Sequence, residues 1–216
     1  MNEHVGARAS RPPRPKLQRT RHAVRRSLGV AGAHRGWHER GYLPHFDGGA
    51  IAQMITFRLA DSLPQAIYEK VATASVNPQD RYLRLEKLID QGRGSCLLGD
   101  PRNATIVRNA LAHFDGERYR LLAWVVMPNH VHALIEQVDR FLLDGIVQSW
   151  KSFTAKAINK RHGTVGRLWA ADYFDRYIRN DEHYRNAVYY IESNPAKAKL
   201  VVRAEDWLFS SAAGRV

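Results

Sequence analysis

Two short apolar segments, Tyr119 to Met127 and His130 to Gln137, are separated only by Pro128-Asn129, and this spacing constrains the chain more than anything else in it. Both are rich in β-branched, aromatic and aliphatic residues. Strands that close together pair as an antiparallel hairpin with its turn at Pro128-Asn129. The rest of the chain is read around that hairpin. Ala50 to Arg58 has strand composition and leads into a helix from about Asp61 to Ala74. Arg81 to Gln91 and Pro101 to Phe114 show helical spacing on either side of the Gly-rich stretch Gly92 to Gly99, with Pro101 suited to a first helical turn. Asp144 to Arg161 is helical, with Ile146, Trp150, Phe153 and Ala157 on one side. Leu168 to Ile178 alternates imperfectly as a short strand, and Asp181 caps a last helix that Pro195 stops after Asn194. This order predicts an α+β class, one domain in which helices cover one face of a mainly antiparallel sheet.

Composition bounds the function. With 44% hydrophobic residues in 216 there is material for one buried core, so a wholly disordered chain is excluded. The longest apolar run, Leu121 to Met127, falls far short of the ~20 residues a membrane-spanning helix needs. The Arg-studded N-terminus has no apolar stretch to serve as a secretion signal. The expectation is a soluble cytoplasmic protein without a membrane partner. Cys96 stands alone, which excludes an internal disulfide and any zinc site of paired thiolates. The net charge of +12 is unevenly spread, because the first 46 residues hold ten Lys and Arg against only Glu3 and Glu39. Residues 1–40 are therefore expected to be a basic, disordered arm, either following nucleic-acid phosphate, acting as a solubilising tail, or lying upstream of the true start codon. The domain proper is 41–216.

His130 and His132 are alternate residues of a strand, so their imidazoles project from one face toward one point, which is metal-ligand spacing. Two histidines are too few to hold a metal, and the last helix offers further donors. Tyr190 and Asn194, four apart, share a helical face. An amide oxygen with two imidazoles suits Mg²⁺ or Mn²⁺ better than structural zinc. Local pattern alone favours Tyr190 as a core aromatic and Asn194 as the filler of a helix end.

The string Trp124-Val125-Val126-Met127-Pro128-Asn129-His130-Val131-His132 resembles the His-hydrophobe-His (HUH) motif of the single-tyrosine transposases. Asp172-Tyr173-Phe174-Asp175-Arg176-Tyr177-Ile178-Arg179 and Tyr190-Ile191-Glu192-Ser193-Asn194-Pro195-Ala196-Lys197-Ala198 resemble the second half of the REP-associated tyrosine transposases. Gly41 to Phe46, Thr56 to Leu59, Ser149 to Lys151, Asp206-Trp207 and Ser210 to Ala212 extend the likeness, which leaves the basic arm uncovered. Lys199 departs from the pattern, since relatives often carry Gly there.

The resemblance implies a ferredoxin-like sheet with the HUH motif on a central strand, His130, His132 and Asn194 as ligands of Mg²⁺ or Mn²⁺, and Tyr190 as the catalytic nucleophile. Tyr189, adjacent, points roughly 100° away on the helix. The implied reaction cleaves and rejoins single-stranded, REP-like hairpin DNA through a 5′-phosphotyrosine, by a monomer or a homodimer. Lys151, Lys156, Arg176 and Arg179 are candidate DNA contacts. The alternatives are a non-cleaving hairpin-binding regulator or architectural protein, and a metal-dependent hydrolase. The latter needs more ligands on a larger barrel than this chain supplies.

Overall fold

In the computed structural model, which describes residues 36–40, 43–74, 78–138 and 141–214, strands β1 (Gly36–Arg40) and β2 (Leu43–Asp47) form a two-stranded antiparallel ribbon. The disorder expected for the arm concerns residues that lie mostly outside the described ones; its last five belong to β1. The chain continues through β3 (Ala52–Arg58), α1 (Gln65–Ala74), α2 (Pro78–Ile89), α3 (Pro101–Ala112), β4 (Tyr119–Val126), β5 (His130–Gln137), α4 (Leu143–His162), β6 (Phe174–Tyr177) and α5 (Asp181–Lys197). Strands β3 to β6 make one antiparallel sheet in the order β4-β5-β3-β6. With its crossovers this is the ferredoxin-like frame, and the HUH strand β5 is internal, as expected.

The hairpin forms where the spacing places it, and Met127 N–H closes the turn on the His130 carbonyl at 2.8 Å. Its burial corrects one expectation. On one face Ile55, Phe57, Val131, Ala133 and Ile135 pack against α3 and α4. On the other, Met54, Val125, Met127 and Leu134 pack against Ala187, Val188 and Ile191 of α5. Helices therefore cover both faces. The reason is the near-continuous apolar character of β4 and β5, which leaves neither face fit for water. A register shift between Leu121 and Ala123 bulges β4 without breaking the pairing beside the histidines.

Two helix ends also differ from expectation. Helix α1 starts at Gln65, later than Asp61, because Leu63 precedes Pro64 and the residue before a proline disfavours helix. Helix α5 is capped by Asn180, whose Oδ1 accepts from His183 N–H at 2.8 Å, and it runs through Pro195 to Lys197. Asn194 thus sits inside a turn, and its carbonyl accepts from Ala198 N–H at 2.9 Å. The helix leaves through Lys199 at φ 58, a left-handed conformation that costs a side-chain-bearing residue about 1 kcal/mol and explains why glycine suits this position. Among the described residues no helix is long and apolar enough to cross a membrane.

The β1–β2 ribbon is tied to β6 by charge. His45 is fully buried; its Nδ1 bonds Asp175 Oδ1 and its Nε2 bonds Asp172 Oδ1 at 3.1 Å. Burial opposes the imidazolium, but the two carboxylates prevail and raise its pKa to about 9. The folded value lies above the unfolded one of about 6.5. The linked stability, on the order of 3 kcal/mol, is therefore complete below pH 6.5 and is lost as pH rises through 9. Thermal melts at pH 6.5 and 10 check this: the wild type should lose several degrees that His45→Gln, already less stable, does not lose. Parallel losses in both would show that His45 is not the titrating group.

Candidate active site

Residues 54, 56 and 58 of β3 and 130, 132 and 134 of β5 share the sheet face under α5, with Thr56 opposite His132 and Arg58 opposite His130. The two imidazoles converge, their Nε2 atoms 3.1 Å apart. Each ring is oriented from behind. His130 Nδ1 meets Asn129 Oδ1 at 2.7 Å and His132 Nδ1 meets Thr56 Oγ1 at 2.7 Å. Asn129 Oδ1 can only accept, so His130 carries its proton on Nδ1 and turns its Nε2 lone pair to the shared space, while the Thr56 hydroxyl holds the His132 ring with Nε2 facing the same space. Burial keeps the rings neutral, pushing His130 down to about 3 and His132 well below its ordinary value, the latter helped by the neighbouring His130.

Asn194 and Tyr190 close this space from α5. The Asn194 amide is 3.4 Å from His132 Nε2, and the Tyr190 ring lies edge-on to the His132 ring at 5.3 Å. The four residues singled out in the sequence are thus brought together. Tyr189 is 67% exposed and turned away, while the Lys197 ammonium, two helical turns beyond, lies 5.2 Å from the Tyr190 ring and 4.9 Å from that of Tyr189.

A fifth participant comes from the other side. Asp90, just past α2, sets Oδ1 3.4 Å from His130 Nε2 and accepts from Tyr190 O–H on Oδ2 at 3.3 Å. Its Oδ1 is buried and makes no hydrogen bond. Asn129 holds it there: the Nδ2 group donates to the carbonyls of Ile89 and Arg93, both at 3.1 Å, tying the end of α2 to the HUH turn. Asp90, His130 and His132 present donor atoms within 4.8 Å of one another. An orphaned carboxylate oxygen, two oriented imidazoles and an amide make a donor set that fits a hard divalent cation. Burial raises the Asp90 pKa, against hydrogen bonds from Asn194 and Tyr190. Burial, then the carboxylates of Glu86 and Asp90, push the Tyr190 phenol well above its ordinary range, so it is a neutral donor here.

The candidate DNA contacts divide. Arg176, exposed on β6 and paired with Met54, stands on the histidine face, and exposed Arg179 lies over the Tyr177 ring at 5.3 Å. Lys156 is exposed on α4, which covers the opposite face. Lys151 is not an exposed hook: it is buried, and its Nζ donates to the Ala171 carbonyl at 2.9 Å. Sequence reasoning missed Asp90, Asn129 and Thr56. Asn129 and Thr56 lie within the strings that carry the family likeness, whereas Asp90 has no local signal.

Residues 101–194 match the family model described as "Transposase IS200 like". No curated protein matches the chain. Among solved structures, one of a REP-associated tyrosine transposase bound to a REP hairpin is 23% identical, with 81% of each chain covered and a TM-score of 0.49. A Deinococcus radiodurans protein assigned as a transposase is 17% identical over 73% of this chain and 96% of that one, with a TM-score of 0.33.

Proposed function

We propose, from the match of residues 101–194 to the IS200-like transposase family model, that the chain cleaves and rejoins single-stranded DNA through a tyrosine linkage. The observation that carries this reading is one carboxylate, Asp90, spanning the Tyr190 hydroxyl and the paired imidazoles. His130, His132, Asn194 and Asp90 would hold Mg²⁺ or Mn²⁺. When bound, that ion supplies positive charge to the non-bridging oxygens of the scissile phosphate.

Tyr190 is the nucleophile. Its oxygen bonds to phosphorus as the P–O3′ bond breaks, the phenol proton passes to Asp90 Oδ2, and the departing 3′ oxygen takes up a proton. The products are a 5′-phosphotyrosine and a free 3′-OH. The ester linkage is conserved, so attack by another 3′-OH reverses the step and joins strands without a nucleotide cofactor. Neutral Tyr190 does not attack unaided; Asp90 stands at the phenol proton as its acceptor. Helix α5 packs on its own sheet, which supports attack in cis. The motif likeness to REP-associated enzymes points to hairpin-forming DNA as the substrate.

The test mixes the protein with hairpin DNA bearing a single-stranded flank and Mg²⁺ or Mn²⁺, and looks for a covalent adduct on a denaturing gel. Tight hairpin binding without an adduct would establish the regulator instead. The metal assignment has its own check. Thr56→Val keeps the shape of a fully buried residue but removes the hydroxyl behind His132, and should weaken Mn²⁺ binding by about 10- to 100-fold in a calorimetric titration. Unchanged affinity would remove His132 from the ligand set.

A further inference from the structure

Arg58 is a guanidinium with 4% of its surface exposed and no carboxylate within salt-bridge distance among the described residues. Its hydrogen bonds all run through Nη1, to Leu59 O, Ser62 Oγ and Leu63 O at 3.3 to 3.4 Å, leaving Nε and Nη2 without one. Its Cζ stands 5.4 Å over the Tyr68 ring. A buried charge so weakly compensated is costly unless an anion completes it. Arg58 also lines an open pocket of about 650 Å³, with Tyr68, Gln148, Lys151, Arg167 and Tyr173 among its walls.

We propose that this pocket is a subsite for one unpaired nucleotide of the single-stranded DNA that flanks the hairpin, its phosphate taken by Arg58 and Arg167; the inference rests on the strand-cleavage reading. Charge favours a single phosphodiester. Arg58, Lys151 and Arg167 face two acids, Asp144 and Asp172, and Asp172 already bonds His45. Arg58 is the cross-strand partner of His130, whereas Asp144, Gln148 and Lys151 stand on α4 over the opposite face, so the pocket lies at the end of β3 beside residues 170–174 and not over the histidines. The far wall suits a base edge: Asp144 and Gln148, four apart on α4, offer a carboxylate acceptor and an amide with both polarities. The pocket has the volume for a nucleotide, and its rings are buried, so recognition is by hydrogen bonds and charge instead of stacking.

The test measures affinity as a function of salt, without divalent metal, for two probes: a DNA hairpin with a short single-stranded tail and the same hairpin blunt. Arg167 is exposed, so Arg167→Ala should fold normally; Arg58→Lys retains the charge but loses the fork, and its melting temperature checks its fold. Both should bind the tailed probe several-fold more weakly and the blunt probe as wild type does. For Arg167→Ala the log–log salt slope on the tailed probe should become shallower by about 0.7, one single-strand phosphate contact. Equal losses on both probes, or none on the tailed one, would overturn the subsite. Binding here is independent of the adduct assay. A tail-specific loss in a protein that forms no adduct would sink the cleavage reading alone, and adduct formation without a tail-specific loss would sink the subsite alone.

Discussion

Tyr190→Phe is expected to fold, to bind hairpin DNA as the wild type does and to form no covalent adduct, with cleavage reduced on the order of 10⁴-fold or more. The change deletes one oxygen. The ring contact with His132 at 5.3 Å is retained, and the lost bond at 3.3 Å leaves Asp90 partly in contact with solvent, so the cost in stability is about 1 kcal/mol. The neighbouring tyrosine cannot substitute without rearrangement. Tyr189 is 67% exposed on the outer side of α5 and would need the helix to turn by roughly 100° to reach the imidazoles. The assay is the denaturing gel with Tyr189→Phe alongside. An adduct that survives in Tyr190→Phe and disappears in Tyr189→Phe would transfer the nucleophile to the neighbour; survival in both would end the tyrosine mechanism.

Much of this site could be read in the sequence because its parts are local. His130 and His132 share a strand face by the period of two, and Tyr190 and Asn194 share a helix face by the spacing of four. What joins the pairs is not local. An apolar stripe on α5 says that it packs on something but not on which side of the sheet, and Ala187, Val188 and Ile191 find the face that α3 and α4 leave open. Asp90 is invisible for the same reason: a lone acid after an amphipathic helix has no spacing to mark it. Asn129, which reads as a turn residue, spends its amide on the end of α2 and its oxygen on His130, and so brings that acid to the histidines. Lys151 shows the converse, a cation off the main apolar stripe of its helix whose ammonium is nevertheless taken up by a backbone carbonyl.

His130→Ala separates binding from chemistry for an electrostatic reason. Its pKa is pushed down to about 3 by burial, so at neutral pH the ring carries no charge. Affinity for DNA arises largely from cations that release counterions, so removing a neutral ring should leave both the hairpin affinity and its salt slope unchanged. Cleavage should respond differently. The change takes one of two converging Nε2 donors from the cation site and deprives Asn129 Oδ1 of its partner, so the charge that would meet the phosphate oxygens is held loosely or lost. Removing a single preorganised donor to developing charge costs about 10²- to 10³-fold in rate, and loss of the ion costs more. Stability falls by about 1 to 3 kcal/mol through the unpaired amide oxygen, which a thermal melt separates from catalysis. If excess Mn²⁺ restores part of the cleavage, the defect lies in holding the ion. Wild-type cleavage in the variant would exclude His130 from the site, and a fall in hairpin affinity matching the fall in cleavage would make the histidine a DNA contact instead.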